Sequence, residues 1–431
     1  MIYDNLSVNA AGHLVFAGYD TAQLAEEYGT PLMLMDENRI RNRCREYQEA
    51  MKAYLPVGSR PVYASKAFST KRIYEIMREE GMGVDVVSVG ELYTAVRAGF
   101  PMENAYFHGS SKTDADIRFA MENRIGCFVC DNADELNAID EEAARQGIRQ
   151  KVLLRLAPGI DPHTHQKINT GRVDSKFGVA IETGQAEILV QRALEKQHVE
   201  LLGYHCHVGS QLFDNTVFFD TATNMLKFTS HISKTLGFTA KVVNIGGGMG
   251  VPYVSTDPAI SYAENIRIIG EHIQSLCESL ELEPPAILME PGRSIVADSG
   301  ITVYSVAGIK QIPGFKNYLA INGGMTDNPR YTLYQSDYTV LPAGRMHDKA
   351  EINCTIAGCC CESGDLIQEN VPLPLLRRGD LLAVLTTGAY NYSMASNYNR
   401  VPRPPVVMIG KDGPYVAVRR ERLEDLLNCD L

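Results

Sequence analysis

Short apolar runs alternate with segments of helical periodicity through the first 290 residues of this chain of 431 residues. Eight of the runs close on or beside a small or polar residue. They span residues 61–66, 83–88, 105–109, 127–131, 152–157, 201–207, 242–246 and 286–290. Eight strands separated by helices are typical of a (β/α)₈ TIM barrel. An open doubly wound sheet would alternate in the same way, but the count of eight and the polar strand ends favour a closed barrel.

The texture of the sequence changes after Ser299, where β-rich segments such as 301–309, 351–357 and 381–385 are separated by Gly- and Pro-containing turns. This pattern predicts a second, C-terminal β-rich domain, a β-barrel or sandwich. We expect the opening segment, with its apolar runs at 14–16 and 31–35, to pair with it. The predicted domains are residues 37–298 for the barrel, and residues 1–36 together with 299–431 for the β-rich domain.

The composition indicates a protein that acts on small molecules. The net charge of −11 is mild for this length and no Lys/Arg cluster stands out, so nothing supports a nucleic-acid or membrane partner. The first residues lack a basic start followed by an apolar run, and we expect a cytoplasmic protein.

The ten cysteines are scattered along the chain, which is unlike the dense framework of a small secreted scaffold. Reduced thiols are therefore expected. Cys127 and Cys130 form a C-x-x-C within an apolar run, and no second pair lies at zinc-site spacing, so we interpret them as core thiols.

Lys66 ends the first predicted barrel strand. The carboxyl-terminal mouth of a barrel is where an enzyme places a lysine amine that forms a Schiff base with a carbonyl cofactor. Taken alone, Lys66 is better interpreted as a solvated lysine at a strand end, and it is the other strand-end segments that favour the Schiff-base role.

Two further strand ends carry groups suited to such a cofactor. The turn Gly246-Gly247-Gly248 leaves backbone N–H groups open to a phosphate, although a simple tight turn would have the same sequence. Glu290 ends the eighth strand, where a buried carboxylate needs a cationic partner. That partner is either a protonated pyridine nitrogen or Arg293, three residues later.

His205 and His207 lie on one face of the sixth predicted strand. No third ligand has suitable local spacing for a metal, so we expect no metal site. A flat imidazole stacked on a planar cofactor suits His207, and a core histidine suits His205.

Eight motifs occur together along nearly the whole chain: YASKA (63–67), GVDVVSVGEL (83–92), THQKINTGRVDSKFG (164–178), HCHVGSQ (205–211), NIGGGMG (244–250), MEPGRSIVA (289–297), CESGD (361–365) and GAYNYSMASNYN (388–399). On these motifs the chain resembles the diaminopimelate decarboxylases, pyridoxal-phosphate enzymes of fold type III, the alanine racemase and ornithine decarboxylase type. The resemblance implies the cofactor pyridoxal 5'-phosphate and the decarboxylation of meso-2,6-diaminopimelate to L-lysine, the last step of lysine biosynthesis.

The resemblance also implies roles for residues around the cofactor. Lys66 would hold it as a Schiff base, His207 would stack on its ring and Glu290 would keep the pyridine nitrogen protonated. Asp85 would support the region of Lys66. The residues implied at or near the phosphate are Ser210, Gly246, Gly247, Gly248, Gly292, Arg293 and Tyr390.

At the distal end of the substrate, the family pattern places Arg293, Arg330, Tyr334 and Tyr390 around the substrate, with the arginines and Tyr334 at a carboxylate. The same pattern places Glu362 near an ammonium. This division suits the chemistry, because guanidinium groups bind carboxylates bidentately. Cys361 aligns with the catalytic position, and either Cys361 or Lys66 would return the proton to the substrate carbon.

The same family builds its sites at a homodimer interface, with the segment of Cys361 and Glu362 donated by the neighbouring subunit. Phe68-Ser69 and the segment 107–112 depart from the usual family pattern, as does the run Cys359-Cys360-Cys361. The first two departures concern groups behind the Schiff base and leave the expected reaction unchanged.

Two alternatives stay open from the sequence. One is a related decarboxylase acting on another basic substrate, namely carboxynorspermidine, arginine or ornithine. The pattern of Arg330, Tyr334 and Glu362 speaks against it. The other is a catalytically inactive regulatory homologue, which the retained Lys66, Glu290 and Cys361 disfavour.

Overall fold

A computed structural model describes residues 2–160 and 175–431. The chain divides into two compact units. One consists of Met1–Arg41, Val251–Ala259 and Ile295–Leu431, and the other of Asn42–Gly250 and Ile260–Ser294. Most of the predicted motif at 164–178 lies outside the described residues.

The strands, in chain order, are β1 (Leu6–Val8), β2 (Leu14–Phe16), β3 (Tyr19–Asp20), β4 (Leu32–Asp36), β5 (Arg60–Ala64), β6 (Gly83–Val86), β7 (Ala105–Phe107), β8 (Cys127–Cys130), β9 (Gln150–Ala157), β10 (Val179–Ala180), β11 (Val199–His205), β12 (Val242–Asn244), β13 (Ala286–Met289), β14 (Gly300–Gln311), β15 (Asn317–Ile321), β16 (Val340–Leu341), β17 (Ile352–Ala357), β18 (Leu366–Leu373), β19 (Leu381–Leu385), β20 (Val406–Gly410) and β21 (Gly413–Val418).

The helices are α1 (Thr21–Tyr28), α2 (Glu37–Tyr54), α3 (Lys71–Glu79), α4 (Val89–Arg97), α5 (Asp114–Glu122), α6 (Ala133–Gln146), α7 (Gln185–Glu195), α8 (Thr216–Leu236), α9 (Tyr262–Leu280), α10 (Arg293–Val296) and α11 (Arg330–Tyr334).

The second unit is a closed parallel barrel. Its strands follow one another in the order β9, β11, β12, β13, β5, β6, β7 and β8, and the pairing of β8 with β9 closes the ring. The short strand β10 adds to β9 outside this ring. The (β/α)₈ prediction is confirmed, and each of the eight predicted runs overlaps one barrel strand. All carboxyl ends of parallel strands lie at one end of the barrel, which brings their polar residues together.

Sequence periodicity explains the barrel helices. In α3, Ile73, Ile76 and Met77 are fully buried, and each such side chain contributes about 1.5–3 kcal/mol to folding. The Thr70 hydroxyl accepts a hydrogen bond from the backbone N–H of Ile73 and caps the helix at its start. The interior of the barrel is filled by side chains that include Val62, Leu153 and Leu288.

The first unit is β-rich, as predicted. The long strand β14 pairs with β15, β19 and β4, and β4 pairs in turn with β20. The opening segment therefore joins the C-terminal strands through residues 32–36. Residues 14–16 form β2, which pairs with β1 and β3 in a separate three-stranded sheet. The N–H of Leu14 also donates to the backbone oxygen of Ala343, and Leu14 and Phe16 pack in the same core as Ile301 and Val303.

All ten cysteines lie in the described residues and are free thiols. Cys127 and Cys130 are buried in β8, which confirms the expected core thiols. Burial raises the pKa of Cys127 to about 12, so its thiol stays protonated at neutral pH. Among the described helices, none combines the length and the apolar character needed to cross a membrane.

Candidate active site

Glu290 follows β13 and is the centre of a buried polar cluster in the barrel. Its carboxylate accepts a hydrogen bond of 2.7 Å from the side-chain amide of Asn244. The Nε2 atom of His205 lies 3.2 and 3.3 Å from its two oxygens, and Nε2 of His108 lies 3.2 Å from Oε1. One alternative from the sequence was an ion pair between Glu290 and Arg293. In the described chain, the side chains that contact the Glu290 carboxylate are instead the amide and the two imidazoles just named.

The cluster holds Glu290 as an anion. Burial alone would raise its pKa, but the neighbouring His205 and His108 outweigh burial and keep the pKa well below its usual range. Burial also lowers the pKa of His108 well below its ordinary value, while the charge of Glu290 acts in the opposite direction. A carboxylate kept ionised inside a barrel is suited to hold a proton on a ring nitrogen.

The cluster also shows that local spacing in the sequence was not enough to find the groups that lie close to His205. Local spacing shows no third ligand for His205 and His207, whereas the fold joins His205 to His108 and Glu290, with one ligand atom of each lying within 4.8 Å of the others. His207 is not part of this group. The three groups contact one another directly, and we assign no metal to them.

Lys66 lies in a one-turn helix, Ser65–Ala67, that follows β5, and its side chain is half-buried. The hydroxyl of Ser65 donates to the backbone oxygen of Asp85 and lies 2.8 Å from a carboxylate oxygen of Glu91. These contacts fix the turn that carries Lys66 against β6.

Asp85 is 1% exposed, and within the described part of the chain neither of its carboxylate oxygens has a hydrogen-bond partner. Its pKa is raised well above its usual value, first by burial and next by the charge of Glu290, while Lys66 acts in the opposite direction. A buried carboxyl group with unused oxygens beside a lysine amine is a feature of a binding site rather than of a filled core.

The glycine turn after β12 has no room for side chains. A Cβ atom on Gly247 would lie 2.0 Å from the backbone oxygen of Glu290, and one on Gly246 would lie 2.6 Å from that of Cys206. The N–H of Gly246 donates to Oδ1 of Asn244, and the N–H of Gly247 donates to Nδ1 of His207 at 3.3 Å. Within the described residues the backbone N–H of Gly248 has no acceptor. Of the three glycine N–H groups, it is therefore the one that is free to donate to a phosphate.

Arg293 and Ser210, both predicted at the phosphate, are brought together by the fold. The guanidinium of Arg293 donates to the Ser210 hydroxyl from Nε at 3.3 Å and from Nη2 at 3.1 Å. Gly292 beside it packs closely on β5, because a Cβ atom there would lie 2.9 Å from Cβ of Ala64.

In the β-rich unit, Arg330 is 5% exposed and begins α11. Its guanidinium donates to the hydroxyls of Tyr338 at 3.2 Å and Ser336 at 3.1 Å, and it lies over the ring of Tyr253. Among residues 2–160 and 175–431, no carboxylate oxygen lies within 4.0 Å of it. A buried guanidinium that meets no carboxylate in the described part of its chain is suited to bind an anionic ligand.

The other predicted residues of this unit differ in exposure. Tyr334 and Tyr390 are half-buried, and Tyr390 has a positive φ of 60°. Cys361 and Glu362 are exposed on the turn between β17 and β18. The backbone N–H of Cys361 donates to Oδ1 of Asn399 at 2.8 Å, which helps to set the path of this turn.

Three residues near the cluster were not predicted as site residues: Asn244, His108 and Arg155. Asn244 and His108 stand at strand ends inside quoted segments, and Arg155 is a charged residue, 8% exposed, within the apolar run 152–157. A polar residue that interrupts an apolar strand near its carboxyl end was the signal available for all three.

Comparisons with known proteins agree with this geometry. The family described as "Pyridoxal-dependent decarboxylase, pyridoxal binding domain" matches residues 37–297. The diaminopimelate decarboxylase of Bacillus subtilis (strain 168) is 43% identical over 425 residues, which cover 98% of this chain and 96% of that protein. The closed barrel, the buried cluster around Glu290 and the family match together define the class of this protein as the pyridoxal-dependent decarboxylases.

Solved structures narrow the class further. The diaminopimelate decarboxylase of M. jannaschii, in a complex with L-lysine, has a TM-score of 0.92 and 33% identity and covers 99% of this chain and 98% of its own. A lysine/ornithine decarboxylase of Vibrio vulnificus, in complex with putrescine, has a TM-score of 0.76 and 26% identity, covering 90% of this chain and 97% of its own. The chain belongs to the diaminopimelate decarboxylase family.

The residues present fit the cofactor of this family, pyridoxal 5'-phosphate. The glycine turn forms a cradle that any Cβ atom would fill, and Asp85 offers buried oxygens with no partner in the described chain. Lys66 supplies an amine and Glu290 a buried anion. The prediction of this cofactor is confirmed, and the individual roles of the site residues stay predictions.

Proposed function

We propose that this protein decarboxylates meso-2,6-diaminopimelate at its D centre to give L-lysine and CO₂, the last step of lysine biosynthesis. The chain is a carboxy-lyase of the diaminopimelate decarboxylase family. The observation that carries the substrate assignment is the buried guanidinium of Arg330, which has no carboxylate partner in the described chain. Diaminopimelate has a distal carboxylate for it, which ornithine lacks.

Pyridoxal phosphate, when bound, supplies an electron sink for the pair of electrons left by the departing CO₂. In our proposal Lys66 holds the cofactor carbonyl through its Nζ atom, and Glu290 keeps a proton on the pyridine nitrogen. His207 would pack on the ring. Burial, and next the charge of Lys66, lower its pKa well below the usual value, which disfavours a competing positive charge on this imidazole. Asp85 supports the Lys66 region.

We assign the phosphate end of the proposed site to Ser210, Arg293, Gly292 and the turn Gly246–Gly248, and we include the hydroxyl of Tyr390 in this assignment. The guanidinium of Arg293 is already oriented by Ser210, so less conformational freedom is lost when an anion binds.

A second group of side chains binds the distal end of the substrate. Arg293, Arg330 and Tyr334, together with Tyr390, bind and orient the carboxylate end, and Glu362 pairs with the ammonium. Specificity against ornithine, arginine and carboxynorspermidine follows, because a substrate without the carboxylate leaves Arg330 buried and unpaired. The proton returns to the reacting carbon from Cys361 or from Lys66.

We propose further that two chains form a homodimer and that each donates Cys361 and Glu362 to the other's site. The exposure of both residues in the single chain supports this arrangement. The working domains would be residues 37–298 and residues 1–36 with 299–431. Free thiols throughout the chain support a reducing compartment, the cytoplasm.

The test is incubation of the purified protein and pyridoxal phosphate with meso-diaminopimelate, LL-diaminopimelate, lysine, ornithine, arginine and carboxynorspermidine, with CO₂ detection. We expect release from meso-diaminopimelate at least about 100-fold faster than from the others. Faster turnover of ornithine, arginine or carboxynorspermidine would assign the alternative substrate. No turnover of any, with the absorbance of bound cofactor absent, would indicate an inactive homologue.

A further inference from the structure

Asn244 contacts two different parts of the cofactor site through one side chain. It is the last residue of β12 and is fully buried. Its Nδ2 atom donates to Oε1 of Glu290 at 2.7 Å, and its Oδ1 atom accepts the backbone N–H of Gly246 at 2.9 Å. The side chain therefore bridges the carboxylate and the first residue of the glycine turn.

The two contacts determine the orientation of the amide. If the amide were flipped, an oxygen would face the carboxylate and an NH₂ group would face the N–H of Gly246, and both contacts would be repulsive. An aspartate offers only acceptors and a leucine offers neither group. The position thus requires one donor and one acceptor on the same short side chain, which is the property of asparagine.

The backbone already brings the turn and Glu290 together, because the N–H of Glu290 donates to the oxygen of Gly246 at 2.9 Å. That backbone hydrogen bond does not fix the side-chain torsion angles of Glu290, and so it does not orient the carboxylate. His205 and His108 contact the carboxylate, but among the described residues neither of them forms a hydrogen bond with the glycine turn. Among the described contacts of Glu290, the one to Asn244 is the side-chain link to the turn.

We propose that Asn244 is a positioning residue that couples the two ends of the cofactor site, the phosphate-binding glycine turn and the carboxylate that faces the ring nitrogen. The inference rests on the proposed function. Its consequence is that loss of the amide disturbs both ends at once, whereas a change confined to Glu290 disturbs the ring end alone.

The test compares ligands that report on each end separately. Inorganic phosphate reports on the turn, pyridoxal without phosphate reports on the ring end, and pyridoxal phosphate reports on both. Asn244→Ala removes the two bonds, and Asn244→Leu removes them while filling the same space. We expect both variants to lose at least about tenfold in affinity for phosphate and for pyridoxal, measured by titration of the cofactor-free full-length chain.

Glu290→Gln should weaken pyridoxal but leave phosphate affinity within about threefold of the wild type. In the double variant Asn244→Leu/Glu290→Gln, the loss for pyridoxal should be smaller than the product of the two single losses, since both changes act on one contact. An additive result would overturn the coupling.

Asn104→Ala is the matched control, because Asn104 also accepts a hydrogen bond in the barrel, from Arg60, but lies before β7 at the opposite barrel end. It should change the melting temperature without changing any of the three affinities. Suppose that the wild type binds pyridoxal phosphate and that the Asn244 variants, like Asn104→Ala, change only the melting temperature and none of the three affinities. Asn244 would then be purely structural, and this inference would be overturned while the proposed function stood. A wild type that does not bind pyridoxal phosphate would overturn the proposed function, and the inference with it.

Discussion

The guanidinium of Arg330 lies over the ring of Tyr253, with Cζ 4.8 Å from the ring centroid. A second ring, that of Tyr338, lies 5.8 Å away, and the hydroxyl of Tyr338 accepts a hydrogen bond from the guanidinium. Aromatic faces stabilise a cation without neutralising it. The positive charge of Arg330 therefore stays available to an anion although the residue is buried.

Replacement of Arg330 should raise the KM for diaminopimelate. The lost contact is a charge-assisted hydrogen bond worth about 1.5–3 kcal/mol, which corresponds to roughly 10–100-fold in KM. Arg330→Met keeps much of the apolar packing, and steady-state kinetics measures the effect. Arg378→Ala, an exposed arginine that bonds a backbone oxygen, is the control and should behave as the wild type. An unchanged KM in Arg330→Met would remove Arg330 from the substrate site.

Lys66→Ala should abolish the absorbance of covalently held cofactor and nearly all turnover. The fold should persist, because a half-buried lysine at a strand end contributes little to stability. Absorbance spectra, activity and thermal unfolding check this prediction. Lys71→Ala, at the exposed start of α3, should retain both absorbance and activity. Full turnover in Lys66→Ala would refute the assignment.

Glu290→Gln should still bind pyridoxal phosphate but turn over slowly. A neutral amide does not hold a proton on the pyridine nitrogen, so we expect kcat to fall at least about tenfold, or 1.4 kcal/mol in activation free energy. Cofactor titration and single-turnover kinetics separate binding from chemistry. If affinity for the cofactor fell while kcat stayed unchanged, Glu290 would have a structural role only.

Mixed dimers test the shared site. Inactive Lys66→Ala chains mixed with inactive Cys361→Ala chains should regain part of the activity, since one site of each heterodimer then has both wild-type groups. Lys66→Ala mixed with Glu290→Gln is the control. Both changes lie in the barrel of their own chain, so every site of this heterodimer keeps one defect, and the mixture should show no more than the residual activity of Glu290→Gln. No gain from the first mixture, with subunit exchange demonstrated, would mean that each chain builds its own site.

Asp327 should make stability depend on pH. Burial raises its pKa from 3.8 to about 6, although the hydroxyl of Tyr304 and the N–H of Gly324 bond the carboxylate. A raised pKa means that the folded state binds the proton more tightly than the unfolded state. The stabilisation from this group is complete below pH 3.8 and is lost as the pH rises through 6, about 3 kcal/mol in all.

Asp327→Asn removes this titration. The free energy of unfolding of the variant relative to the wild type should therefore rise by about 1.4 kcal/mol between pH 5 and pH 8, measured by urea unfolding. Asp348→Asn, which removes an exposed carboxylate in the same unit, is the matched control for the loss of one negative charge. A difference that is constant with pH would show that Asp327 does not titrate in this range.

The barrel and the chemistry at its strand ends could be predicted from sequence because both are local. Each strand is a short apolar run, and the residue that follows a run, such as Lys66 or Glu290, lies at the carboxyl end of that strand whatever the other strands do. The fold class was predicted on this basis and is confirmed. The family and its cofactor were predicted from the resemblance carried by the eight motifs and are confirmed as well. The partners of β2 within its own sheet were not predicted, because a three-residue strand carries too little pattern to select them.

Only the tertiary structure decided what surrounds each of these groups. His205 and Glu290 are 85 residues apart, Asn244 and Glu290 are 46 apart, and neither separation has a signature in the chain. They meet because closure of the barrel places β11, β12 and β13 side by side. The sequence by itself determined which residues reach the catalytic end of the barrel. The ionised state of Glu290 and the burial of Arg330 depend on packing between distant segments, which is where desolvation and hydrogen bonding act.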